Sequence, residues 1–145
     1  MINNSKLPGW MVVVLRILIG ALFIYAGATK AITPLRFATD IANFHLLPWV
    51  AAMPLAFYLP WFEIVCGAAL LLSRLHRGAI FILLTLTFVF ILALTSARIR
   101  GIDISCGCFG HAARDLSFGS HLLLNVAVLA VLLFLWQAGF RRPRA

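Results

Sequence analysis

Four nearly uncharged apolar stretches, Trp10–Thr29, Pro54–Leu72, Gly78–Ala97 and Phe118–Gly139, make up more than half of this 145-residue chain. Each is about the 20 residues that an α-helix needs to cross a hydrocarbon core roughly 30 Å thick. The chain is 63% hydrophobic and 11% charged, with mean hydropathy +1.05. A soluble domain of this length has too little interior to hide so much apolar surface. The expected fold is therefore an all-α membrane protein, a four-transmembrane-helix bundle forming one integral-membrane domain over residues 1–145. The first stretch resembles a secretory signal, because Lys6 precedes it and Ala26-Gly27-Ala28 looks like a cleavage site. Arg16 interrupts that apolar region and the stretch is long enough to span, so it is read as a retained helix.

The net charge of +8 raises nucleic acid as a partner. The arginines gather instead at the ends of the stretches, at Arg74/Arg77, Arg98/Arg100 and Arg141/Arg142/Arg144, without a basic face of interleaved aromatics. Anchoring in the bilayer explains them, and no nucleic-acid partner is expected. Four spans put both termini on one side with the Ser73–Arg77 turn. That side carries Lys6, Arg74, Arg77, Arg141, Arg142 and Arg144. The opposite side carries Lys30, Arg36, Arg98, Arg100 and Arg114. A margin of six to five favours cytoplasmic termini by the positive-inside rule. In a bacterial inner membrane the loop before the last span then faces the periplasm, where disulfides persist.

The first loop predicts a short amphipathic helix. Thr33 is placed to cap it and Pro34 suits its first position. Leu35, Ala38, Ile41 and Ala42 fall opposite Arg36, Thr39/Asp40 and Asn43, so the helix lies on the membrane or caps the bundle. Pro48, Trp49 and Pro54 end it and lead into the second span.

Chemistry concentrates in Cys106-Gly107-Cys108-Phe109-Gly110, in the loop between the last two spans. Residues i and i+2 reach disulfide distance only where the chain bends, and Gly107 permits the bend. A ring this small is expected to be strained, hence easily reduced and a good oxidant of other thiols. Arg98, Arg100 and His111 nearby favour the thiolate. A structural staple is the bland alternative. Metal ligation by Cys106, Cys108 and His111, with Asp103 or His121 as fourth ligand, fits zinc poorly because cysteine ligands are ordinarily two to four residues apart. His121, one turn into the last span, is a candidate proton acceptor during thiol exchange.

Glu63 is the one acidic residue well inside a span, where a lone charge is expensive and marks a paired or functional position. Arg16 is its expected partner, across an axial gap of about 8 Å by rise per residue. A structural ion pair and a proton-relay or quinone-contacting role both suit these two residues. A membrane quinone docked near Glu63 and Arg16 would be the electron acceptor. Cys66, three residues on and so on the same helix face, reads as a small buried apolar residue. It would become a third redox partner only if the regular helix begins near Pro60. Gly20, Gly27, Gly67 and Gly78 are expected to permit close helix packing.

Arg16-x-x-x-Gly20, Ala26-Gly27-x-x-Lys30, Leu59-Pro60-x-x-Glu63-x-x-x-Gly67 and Asp103-x-x-Cys106-Gly107-Cys108-Phe109-Gly110 together resemble the MauE branch of the DoxX-like membrane proteins. The Cys-Gly-Cys-Phe-Gly loop is the most specific of these motifs. In one respect the chain departs from the pattern: Ser105 directly precedes Cys106, and the aspartate stands further back at Asp103. The resemblance implies a four-helix membrane bundle required for methylamine utilisation. It also implies a role in maturing the disulfide-rich small subunit of methylamine dehydrogenase in the periplasm, beside a thioredoxin-like partner. On that reading Cys106 and Cys108 exchange disulfides with the partner and a client protein. A non-enzymatic assembly factor and a small transport component using Glu63 are the rivals.

Overall fold

A computed structural model describes residues 9–73, 75–102 and 118–140. The described residues form five helices: α1 (Gly9–Ile32), α2 (Pro34–Asn43), α3 (Trp49–Leu71), α4 (His76–Ile99) and α5 (Phe118–Phe140). All but α2 are long and apolar enough to cross a membrane. Their outward faces carry Trp61, Phe62, Val65, Phe88 and Val89, all exposed. Within each span's most apolar window only 22–33% of residues are buried in the bundle, so lipid must cover the rest. The protein is an integral membrane protein.

The spans run longer than the charge pattern implies. α1 continues three residues past Thr29 and takes Lys30 into the helix. α3 begins at Trp49, capped by extended Pro48, and runs unbroken through Pro54 and Pro60. Proline deletes one backbone hydrogen bond and is tolerated in a span, where neighbouring groups can take up the freed carbonyl.

α1 and α3 form the most extensive helix pair, and glycine permits it. A Cβ on Gly20 would lie 2.9 Å from the Gly67 carbonyl oxygen, and one on Gly67 would lie 2.7 Å from that of Gly20. A Cβ on Gly27 would meet the Pro60 carbonyl oxygen at 2.6 Å and Ile64 Cγ1 at 2.7 Å. The two backbones thus touch wherever glycine recurs, the small-residue packing expected between helices in lipid. The expectation holds for Gly20, Gly27 and Gly67. It does not for Gly78, beside which a Cβ would meet nothing within 4 Å.

Below this seam Ile19, Phe23, Cys66, Leu70, Ile80, Leu83, Val128 and Leu132 form the main buried cluster, shared by α1, α3, α4 and α5. α2 closes the opposite end. It begins at Pro34 as expected, but the Thr33 hydroxyl makes no cap and donates back to the Thr29 carbonyl at 3.2 Å. Its inward residues are Phe37 and Ala38, packed with Ala56 of α3, whereas Leu35 points outward. On its polar side, burial pushes the Asp40 carboxyl above its usual range, with the Arg36 guanidinium pulling the other way. Arg100 ties the end of α4 to the end of α2, donating to the Phe44 carbonyl at 3.2 Å and the His45 carbonyl at 3.3 Å.

Candidate functional site

The polar interior of the bundle lies just beneath α2. Lys30 sits two residues from the end of α1 and turns inward, leaving 8% of its surface exposed. Its Nζ donates to both carboxylate oxygens of Glu63, at 2.8 and 2.9 Å. Glu63 is equally shielded, at 6% exposure. Neither charge reaches bulk solvent, so each depends on the other: an unpaired ion at this depth would cost several kcal/mol, while the bidentate geometry satisfies both oxygens. Phe37 covers the pair from α2, its ring centroid 5.2 Å from Lys30 Nζ. A cation over an aromatic face gains further attraction.

Around the pair is a cavity of about 60 Å³, whose lining includes Phe23, Phe37, Thr87, Phe90 and Asn125. Thr87 and Asn125 are buried. The Thr87 hydroxyl donates to the Leu83 carbonyl at 2.8 Å, and Asn125 Nδ2 to the His121 carbonyl at 2.8 Å. Lys30, Glu63, Thr87 and Asn125 on otherwise apolar walls, together with this volume, suit a few water molecules. They fall well short of the 300–1,000 Å³ of ordinary ligand pockets. A quinone head group therefore does not fit the space around Glu63.

The structure overturns the expected pairing of Glu63 with Arg16. The glycine contacts set α1 and α3 antiparallel so that Gly20 meets Gly67 and Gly27 meets Pro60. In that register Glu63 is level with residue 24, and Arg16 lies eight residues away, roughly 12 Å along the axis. Lys30, counted from its sequence position as a loop charge, is the true partner. The sequence signal for it was the Gly27-x-x-Lys30 spacing, which puts the lysine on the face that packs against α3.

The remaining candidates separate cleanly. His121 is buried at 3% exposure on the first turn of α5, one helical turn before Asn125 and on the same side of the helix as the cavity. Cys66 is a free, buried thiol inside the apolar cluster, with Leu70, Ile80 and Val128. α3 starts at Trp49, which puts Cys66 roughly 25 Å along the helix from that end, so the condition for a third redox partner, a helix beginning near Pro60, is not met. Cys106 and Cys108, together with His111 and Asp103, lie outside the described residues. The chain on either side of that segment is placed at the α2 end: Ile102 packs on the Phe44, Leu94 and Ala97 cluster, and α5 starts at Phe118. Among the described residues no three His, Cys, Asp or Glu side chains are gathered to hold a metal.

The comparisons agree with this architecture. A family model described as Methylamine utilisation protein MauE matches residues 8–138. The methylamine utilization protein MauE of Methylophilus methylotrophus is 33% identical over 109 residues, covering 71% of this chain and 57% of that protein. Its counterpart in Paracoccus denitrificans is 30% identical over 120 residues, covering 82% and 64% respectively. The chain thus spans less than two thirds of the length of either relative. No solved structure matches it significantly. A model match over nearly the whole chain, on four membrane-crossing helices, places the chain in the MauE family.

Proposed function

We propose that this chain is a membrane thiol–disulfide maturation factor whose working group is the Cys106-Gly107-Cys108 turn. The observation that carries the reading is the position of this turn in the chain. The cysteines stand on the connection between α4 and α5, whose flanks are fixed at the end of the bundle that holds Lys30, Glu63 and His121. Family membership supports a client in methylamine utilisation, with the methylamine dehydrogenase small subunit or another disulfide-containing periplasmic protein as substrate. The wider DoxX-like kinship belongs to the same proposal, on the Arg16, Lys30 and Glu63 motifs.

In the proposed cycle a client thiolate attacks one sulfur of the Cys106–Cys108 disulfide and forms a mixed disulfide. The second client thiolate displaces it, leaving the client oxidised and the pair as a dithiol that has gained two electrons and two protons. Exchange with the disulfide of a periplasmic thioredoxin-like partner restores the pair. His121, buried at the start of α5, is the proposed proton acceptor. The orientation this requires is supported by the charge count once Lys30 is set aside. A lysine neutralised inside the bundle anchors nothing, so the bias becomes six to four in favour of cytoplasmic termini.

Serine at both Cys106 and Cys108 is expected to reduce formation of the correctly bonded client in intact cells by at least about tenfold, with normal amounts of the variant in the membrane. Undiminished client maturation would instead favour an assembly factor with a stapled loop, the second reading.

A further inference from the structure

The bundle has a second polar feature at its opposite end, remote from the ion pair. There the first half of α1, the α3–α4 turn, the start of α4 and the end of α5 border an open pocket of about 480 Å³. Three cationic or titratable side chains line it: Arg16 from α1 and His76 and Arg77 from α4. Arg16 Nε is buried and has no hydrogen-bond partner among the described residues. A buried donor left unsatisfied is costly and calls for an acceptor. Arg77 is held in place by donating to the Gly139 carbonyl at 2.7 Å, which fixes its guanidinium at the pocket wall. The first backbone N–H groups of α4 also lie here, and a helix N-terminus carries partial positive charge. The other walls are apolar, formed by Val12, Ile80 and Leu135.

We infer that this pocket binds the phosphodiester head group of an anionic phospholipid. A cationic floor calls for an anion, and among the described residues that line the pocket there is no carboxylate. The apolar walls suit an anion that carries acyl chains. Depth agrees. α1 and α4 have 24 residues each, roughly 36 Å of helix against a hydrocarbon core of about 30 Å. Their end turns therefore stand among the head groups, and Arg16, roughly 10 Å from the start of α1, reaches that layer by extending its side chain. Basic pockets between membrane helices hold acidic head groups in this way.

Two substitutions probe the site by different means. Arg16→Gln removes the unsatisfied cation. Gly78→Phe leaves every charge in place and adds bulk at a residue that lines the pocket, where an added Cβ meets nothing within 4 Å. The full-length protein in detergent is titrated with phosphatidylglycerol, with phosphatidylcholine and with inorganic phosphate, following thermal stability and lipid retention by native mass spectrometry. Wild type should be stabilised and retain lipid with phosphatidylglycerol alone. Arg16→Gln should weaken that binding about fivefold, and Gly78→Phe at least as much. Arg36→Gln, a lost charge at the other end of the bundle, should leave it unchanged. Equal stabilisation by phosphatidylcholine overturns the inference, as does an equal effect of inorganic phosphate, which would make the site one for a free anion. Wild-type binding by Gly78→Phe overturns it as well, and this test stands even if Arg16→Gln does not fold.

Discussion

Lys30→Met alone should destabilise the bundle by about 3–5 kcal/mol, the usual consequence of leaving one member of a buried ion pair without its partner. The two single variants are not equivalent. Lys30→Met strands Glu63 fourteen residues into α3, from where its side chain does not reach bulk water, so a carboxylate is left buried without its counter-ion. Glu63→Leu strands a lysine two residues from the end of α1, which can swing its ammonium toward the head groups. Glu63→Leu is therefore expected to be the milder change, with Lys30 gaining reactivity toward water-soluble amine reagents. The double variant Lys30→Met/Glu63→Leu should recover most of the lost stability, since apolar residues of similar volume commonly replace a buried pair at little cost. Thermal unfolding of the four proteins in one detergent gives the coupling energy directly. Additive losses would show that the pair does not hold α1 to α3.

Gly27→Val should be worse still, and for a reason unrelated to charge. Even the first added carbon would stand 2.6 Å from the Pro60 carbonyl oxygen, a backbone atom that cannot swing aside. Overpacking of a tight interface ordinarily costs about 1–3 kcal/mol. Here it also pushes α1 away from α3 beside the contact between Lys30 and Glu63, so loss of the ion pair is added to it. We expect Gly27→Val to fail to accumulate as a folded monodisperse protein. Gly27→Ala should fold with a lowered melting temperature. Gly78→Ala provides the contrast, because its added methyl meets nothing within 4 Å, and alanine is the better helix former. Size-exclusion profiles and melting temperatures of the three variants check the ranking. A Gly27→Ala protein as stable as wild type would mean that the helices do not approach so closely.

The number, type and order of the membrane helices were legible because span length and apolarity are properties of contiguous residues. Their ends were not. Lys30 reads as the charge that closes a span, and only the opposing Glu63, thirty-three residues away, explains why it is kept inside. Pro54 reads as a helix start, yet α3 absorbs it together with Pro60. The choice of Arg16 as partner rested on depth estimated from helix rise. Depth cannot reveal the relative slide of two helices, which the Gly20–Gly67 and Gly27–Pro60 contacts fix. The proline and the helical polarity pattern of α2 announce the helix, but they do not single out Phe37, its most consequential residue. An isolated amphipathic pattern does not say which apolar residues meet the bundle and which, like Leu35, face outward. Cys66 shows the same point in reverse. Its spacing from Glu63 correctly put both on a buried face, while its apolar neighbours come from α1, α4 and α5.

The central claim is that Cys106 and Cys108 form a reversible disulfide at the membrane surface, with Cys66 a bystander in the core. The direct measurement is mass spectrometry of the protein from native membranes, alkylated under denaturing conditions with and without prior reduction. One alkyl group is expected without reduction, on Cys66, and three after it. Three alkyl groups before reduction, in cells whose periplasmic thiols are otherwise oxidised, would contradict it.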